Sequence, residues 1–321
     1  MNKKGIIGIS AILIVVAGYF IIDSLLFDGI KPRVIDENEF HANFYSSPET
    51  ENKTTVVLIG GGQWGEYWGA EIAKNGFVGL SIPYTNVEGL PELPEEIPIE
   101  YFENAIKWIG QQPEVNPGKI VVMGASRNAE LALVIASSLP ELVSGVIAYA
   151  PSSVSWANTV LPYNSDEMKP GWTYRGEAIP YVPMNKISGG DSNTINTLKY
   201  WEEGLNKEEF VKDAAIKVEK IKGPVLMFSG KDDQVWPSSQ MADLIETRLE
   251  ENNFEYQFKN MQYDDAGHLI SGNPESNSEA RTGTMTIHGN QYSYDYGGTN
   301  AGDFKAKQNA RSEVMKLIKN L

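Results

Sequence analysis

Cysteine is absent from the chain, and histidine nearly so: His41, His268 and His288 are the whole supply. Without thiols there are no disulfides, no thiolate nucleophile, no cysteine-bound zinc, no iron–sulfur cluster and no lipid-modified cysteine. Any catalytic imidazole is one of three residues. Positive charge is also short, with 27 Lys and Arg against 42 Asp and Glu and a net charge of −15. A nucleic-acid binder needs a basic footprint to release counterions, so that class is excluded. No G-K-[S/T] phosphate loop, internal repeat or low-complexity tract occurs. Core material is ample. Of 321 residues, 41% are hydrophobic, 10% aromatic and only 21% charged, as in a folded protein of one large domain or two small ones.

One long apolar run stands at the start. Lys3 and Lys4 precede residues 5–22, interrupted only by Ser10 and closed by Asp23. At 18 residues the run reaches the lower edge for spanning a bilayer, and no A-x-A-like cleavage site follows it. The leading lysines favour the cytoplasmic side. Residues 1–27 therefore read as a membrane anchor, or a signal segment if cleaved, with 28–321 as an extracytoplasmic domain.

Beyond it, residues 29–55 are polar, with weak alternation at Phe40, Ala42 and Phe44 that predicts a hairpin at a sheet edge. Short apolar β-rich runs follow at 55–59, 77–82, 119–123, 143–148 and 225–228, with a further strand expected at 254–259. Helical spacing occupies the intervals, first to Asn75 where Gly76 stops it, and then at 99–112, 129–138, 238–251 and 304–321. Fully apolar strands alternating with helices predict an α/β fold, a mostly parallel, doubly wound sheet covered on both faces. Residues 151–204, rich in Pro, Trp, Tyr, Asn and Ser without clean periodicity, read as a cap insertion over the C-terminal edge of the sheet, where insertions shape binding sites.

Gly124-Ala125-Ser126-Arg127-Asn128 lies between a strand and a helix. A serine there is forced onto a sharp turn that exposes its hydroxyl, and the helix start offers N–H groups to a developing oxyanion. The G-x-S-x-G pattern wants small residues two positions either side of the serine; Gly124 complies and Asn128 departs. A nucleophilic serine needs a base, and the base an orienting acid. Asp233 follows a strand ending in Gly230 and precedes Pro237; this spacing prefers it over Asp232. His268 follows the next strand, in Asp264-Asp265-Ala266-Gly267-His268. The order Ser126, Asp233, His268 is that of α/β-hydrolases, and all three fall on loops at one sheet edge. Asp264 and Asp265 read as solvated loop acids, and His41 and His288 as surface residues.

Gly60-Gly61-Gly62-Gln63-Trp64-Gly65 spells G-x-G-x-x-G after a strand, but no acid ends the next strand to hold a ribose, so the dinucleotide reading fails. The loop reads instead as half of an oxyanion hole, with Gly62 or Gln63 giving one N–H and Arg127 the other. Trp156, Trp172, Tyr174 and Tyr181 in the insertion are candidates for lining an apolar acyl pocket, with packing of the cap on the sheet as the competing account. Neither metal nor cofactor is called for. The expected partner is a small-molecule acyl ester or thioester.

The run Gly60-Gly61-Gly62 … Gly76-Phe77 … Tyr84, then Leu93-Pro94 … Ile99-Glu100-Tyr101-Phe102-Glu103 … Pro113-Glu114-Val115 and Gly124 through Ala132 resembles the acyl-CoA thioesterase / bile acid-CoA:amino acid N-acyltransferase C-terminal domain family. The resemblance continues through Trp172-Thr173-Tyr174, Pro180-Tyr181-Val182-Pro183, Ser229 to Trp236, Gly267-His268 and Gly297-Gly298, covering about 54–321. It implies an α/β-hydrolase-fold acyl hydrolase with Ser126, Asp233 and His268 as its triad. Some relatives use cysteine and pass the acyl group to an amino acid; serine here favours transfer to water. The first 53 residues are too short for the β-rich N-terminal domain of the animal enzymes. Two rivals stand beside hydrolysis: acyl transfer to an amine on the same triad, and a membrane-anchored binding protein whose elbow is impaired by Asn128. An outward-facing, acidic domain is expected to meet esters or thioesters other than CoA's.

Overall fold

The computed structural model describes residues 30–37, 39–158, 167–185, 193–275, 280–287 and 289–321. Its centre is an eight-stranded sheet, numbered here in chain order. The strands are β1 (Arg33–Glu37), β2 (Phe40–Tyr45), β3 (Lys53–Ile59), β4 (Val78–Ile82), β5 (Val115–Ala125), β6 (Gly145–Tyr149), β7 (Val225–Gly230) and β8 (Phe258–Tyr263). Their spatial order is β1-β2-β4-β3-β5-β6-β7-β8. The β1–β2 hairpin joins antiparallel at the edge, as the alternation at Phe40, Ala42 and Phe44 predicts, and the strands from β4 to β8 pair parallel. In β3 the run Val56-Val57-Leu58-Ile59 has no exposed surface, because helices cover both faces. Each such side chain contributes about 1.5–3 kcal/mol by leaving water.

The helices are α1 (Gly62–Lys74), α2 (Ile99–Ile109), α3 (Arg127–Ser138), α4 (Thr197–Leu205), α5 (Glu208–Ala214), α6 (Ser238–Glu251) and α7 (Asn300–Asn320). One face of the sheet packs on Phe102 and Ile106 of α2, Leu131 and Ile135 of α3, and Ile245 and Leu249 of α6. The other packs on Trp68 and Ile72 of α1 and on Ala306, Ala310, Val314 and Ile318 of α7. The parallel strands thus all deliver their C-terminal ends, and the loops that follow, to one edge.

The segment after β6 builds a third cluster over that edge from Val154, Trp156, Val182, Met184, Tyr200 and Trp201, joined by Trp236 and Met241 from the α6 side. Within it, Trp172–Tyr174 pairs in parallel with Ile97–Pro98. Strand β8 starts four residues later than the sequence predicts, because its partner fixes the register from Val225 opposite Phe258. A hairpin of Thr282–Ile287 and Asn290–Asp295 follows the β8 loop, where the sequence predicts no strand.

The expectation of a membrane-anchored, outward-facing domain is corrected. Among the described residues no helix is long and apolar enough to cross a membrane. The longest, α7, carries Asp303, Lys305, Lys307, Arg311, Glu313, Lys316 and Lys319 along its length, and charges at that density are not tolerated in hydrocarbon. Residues 1–27, on which the anchor was expected, lie outside the described residues.

Candidate active site

Ser126 joins the end of β5 to the start of α3 with φ 58° and ψ −126°, backbone that an L residue adopts only under constraint. The constraint is close crossing of strand and helix. A Cβ on Gly124 would lie 2.1 Å from the Asn128 carbonyl oxygen, so only glycine fits there. On the other side of the elbow Asn128 stands where the pattern wants a small residue, and the glycine loop makes room for it. A Cβ on Gly60 would lie 2.1 Å from Asn128 Nδ2, and the Tyr84 hydroxyl donates to Asn128 Oδ1 at 2.6 Å. The bulk missing at Gly60 is supplied from Asn128.

The Ser126 hydroxyl lies 3.0 Å from His268 Nε2, and His268 Nδ1 lies 2.8 Å from Asp233 Oδ2. Asp233 is 4% exposed. Its Oδ1 accepts the N–H groups of Val235 and Trp236 at 2.9 and 3.2 Å, and its Oδ2 also accepts the Ser238 hydroxyl at 2.7 Å. Three donors besides the imidazole therefore hold the carboxylate in one orientation. The Trp236 ring meets His268 edge-on with centroids 6.1 Å apart, closing one side of the imidazole to water. Asp232 turns away, accepting the Gly298 N–H at 2.9 Å.

A strap crosses behind both loops. Tyr296 accepts the His268 N–H at 2.8 Å, and Gly297 bridges to Asp233. Gly297 has φ 71°, and a Cβ there would lie 1.7 Å from the Asp232 carbonyl oxygen. The Gly267 N–H donates to Asp303 Oδ1 at 2.8 Å, and Asp303 pairs with Arg281 at 2.6 Å. On the far side of the imidazole loop, Trp64 and Trp68 of α1 both donate their indole N–H to the Ser271 carbonyl, at 3.1 and 2.8 Å. The helix that follows the glycine loop is thereby tied to the loop that follows His268.

Gly62 and Gln63 open α1 and Arg127 opens α3, so their N–H groups belong to the first turns, which helices leave without internal partners. The Arg127 side chain is directed elsewhere. It pairs with Glu130 at 2.5 Å, donates to the Ala157 carbonyl at 3.1 Å and lies over the Trp172 ring at 5.2 Å. Glu130 has no exposed surface; burial raises its pKa above the ordinary carboxylate value, opposed by the Arg127 charge and by the N–H groups it accepts.

Trp156 and Trp172 are fully buried, their indole N–H groups donated to Ser152 and Glu130 at 2.8 and 2.7 Å. Both belong to the interior of the insertion, the packing account rather than a pocket surface in this conformation. Tyr174 and Tyr181 are half-buried against the same clusters. Asp264 is exposed and pairs with Lys231 at 2.7 Å, which lowers its pKa. His41 is half-buried against Asp36 at 2.8 Å; His288 lies outside the described residues. Glu130 and Trp236 fall inside the runs that carry the family resemblance, but nothing in those runs assigns them, or Ser238, a role. Asp303 was equally hidden. Tyr84 stands one residue beyond Pro83 at the end of β4, the position a dinucleotide site would give to an acid, which is a signal that can be read.

A parallel sheet in this order, with a strained serine, a histidine and an acid on the loops after β5, β8 and β7, defines the α/β-hydrolase fold. In shape the chain matches a dienelactone hydrolase-like promiscuous phosphotriesterase from metagenomic libraries, at TM-score 0.54 and 12% identity over 91% of this chain and 99% of that one. Residues 97–320 match the family model described as BAAT / acyl-CoA thioester hydrolase C terminal, and the chain belongs to that family. Human acyl-coenzyme A thioesterase 6 is 26% identical over 89% of this chain and 64% of its own length. Mouse acyl-coenzyme A thioesterase 1 is 29% identical over 75% and 54%. Mouse acyl-coenzyme A amino acid N-acyltransferase 2 is 26% identical over 75% and 55%. The chain thus spans between half and two-thirds of the length of these curated relatives.

Proposed function

We propose that the chain is a serine acyl hydrolase that cleaves acyl thioesters, acyl-CoA among them, through Ser126, His268 and Asp233. The observation that carries this reading is the unbroken relay from the Ser126 hydroxyl, 3.0 Å to His268 Nε2 and 2.8 Å onward to Asp233, on a serine held at φ 58°. Ser126 Oγ attacks the acyl carbonyl while His268 Nε2 takes its proton, and Asp233 keeps Nδ1 protonated and stabilises the imidazolium. The carbonyl oxygen, now anionic, is met by the N–H groups of Arg127 and of Gly62 or Gln63. The thiolate leaves with the proton from His268. Water then attacks the acyl-Ser126 ester, giving its proton to the same nitrogen; the acyl–Oγ bond breaks, His268 returns the proton to Ser126 Oγ, and the acid departs.

With the outward-facing placement withdrawn, compartment no longer argues against CoA esters, and the relatives' names favour them. The seat of Asn128 over Gly60 speaks against the impaired-elbow reading, since the side chain is accommodated and hydrogen-bonded rather than forced into the turn. Acyl transfer to an amine is kept as a second reading because an N-acyltransferase stands among the relatives at comparable identity. The test is thiol release from an acyl-CoA followed with a thiol reagent. The chain has no cysteine, so there is no background from the protein itself. Release that is lost in Ser126→Ala and leaves free acid supports hydrolysis. Release that depends on an added amine, with the amide as product, favours transfer, and release unchanged in Ser126→Ala overturns both.

A further inference from the structure

Glu130 lies in the first turn of α3, where the helix N-terminus favours a carboxylate. Its side chain nevertheless leaves the helix and enters the insertion. Oε1 accepts the Trp156 backbone N–H at 3.0 Å and the Trp172 indole N–H at 2.7 Å, while Oε2 holds Arg127, the residue next to Ser126, at 2.5 Å. Arg127 in turn reaches the Ala157 carbonyl at 3.1 Å and lies under the Trp172 ring. The insertion backbone passes so close that a Cβ on Gly171 would sit 2.9 Å from Arg127 Nη2. Tyr84, which holds Asn128, also meets the Trp172 ring edge-on at 5.8 Å. Donors from three chain segments therefore converge on one carboxylate with no exposed surface.

Such a group contributes little stability beyond what an apolar replacement of equal volume would give. What it fixes is direction, since each hydrogen bond sets where a segment of the insertion lies relative to the serine. We infer that Glu130 is a positioning residue that holds the insertion segments around Trp156 and Trp172 in register on the nucleophile elbow and so sets which acyl chains the site accepts. The inference rests on the serine acyl-hydrolase reading. Glu130 touches neither substrate nor the reacting atoms; it acts through Trp156, Trp172 and Arg127.

The test is a ratio. For wild type and Glu130→Gln, kcat/KM is measured with a two-carbon and a twelve-carbon p-nitrophenyl ester, and the wild type is checked for fluorophosphonate labelling. Glutamine keeps the volume and an acceptor but releases Arg127, and a misplacement on the order of 1 Å set up away from the chemistry costs up to about a hundredfold. The expected result is a long-to-short ratio shifted by roughly 10- to 100-fold, with both esters still turned over. Simple loss of folded enzyme lowers both values in proportion and leaves the ratio unmoved. Trp172→Phe keeps an aromatic ring there but removes the N–H given to Glu130 together with the pyrrole half of the buried indole; it is expected to shift the ratio the same way, and carries the test if Glu130→Gln does not fold. A ratio unchanged in both variants overturns the inference. A folded wild type that fails to label overturns the underlying reading instead, and the two failures are told apart by the wild type alone.

Discussion

The seat of Asn128 over Gly60 predicts an energetic coupling that a double-mutant cycle can measure. Gly60→Ala puts a methyl 2.1 Å from Asn128 Nδ2 and 2.8 Å from its Cγ, at a residue with φ 112°. The backbone strain costs about 1–3 kcal/mol wherever the Asn128 side chain goes. To escape the methyl, Asn128 must leave its rotamer and release the Tyr84 hydroxyl, adding about 0.5–1.5 kcal/mol for each. In an Asn128→Gly background the second part vanishes and the first stays. Asn128→Gly alone costs about 0.3 kcal/mol in helix propensity plus the lost hydrogen bond. The coupling is therefore about 1–3 kcal/mol in favour of the double variant, read from urea unfolding midpoints at constant slope. Strict additivity would refute the reasoning, since it would mean that Asn128 does not occupy the space Gly60 leaves.

Other outcomes follow from the same contacts. Asp233→Asn, which leaves His268 Nδ1 without its acceptor, is expected to lower kcat by roughly 10³–10⁴ with KM little changed in steady-state assays. Gly297→Ala forces a side chain onto the Asp232 carbonyl at φ 71°, and is expected to cost at least about 3 kcal/mol in chemical denaturation. Because the chain carries −15 at pH 7, kcat/KM for an acyl-CoA should rise several-fold as salt increases from about 10 to 150 mM, while a neutral ester stays flat. Burial depresses the pKa of Lys307, with the Asp303 carboxylate opposing it. The unfolded chain then binds more protons between that lowered value and the ordinary lysine value, so stability rises with pH through this window. Lys307→Met should show the shallower slope in that range.

Much of this was readable from the sequence because the signals are local. The strand ending at Ala125 and the helix after Ser126 predict the elbow without any distant partner, and Asp233 and His268 each follow an apolar strand. Strand β8 was displaced because Phe254, Tyr256 and Phe258 alternate as a strand would, whereas pairing begins only at Phe258. The hairpin at Thr282–Ile287 had a period-two signal, with Gly283, Met285 and Ile287 buried in alternation and strand-favouring threonine between them, but low hydrophobicity hid it. Trp156 and Trp172 were the least legible. Their roles depend on Glu130, 26 and 42 residues away, and nothing in local pattern says that a helix-start glutamate will be buried beneath an insertion.

The central claim is an activated Ser126, and the most direct measurement is fluorophosphonate labelling read by intact mass and peptide mapping. A single adduct on the Ser126 peptide is predicted for the wild type, absent in Ser126→Ala and slowed by at least about a hundredfold in His268→Ala. An adduct on another residue, or labelling of His268→Ala at the wild-type rate, would contradict the account.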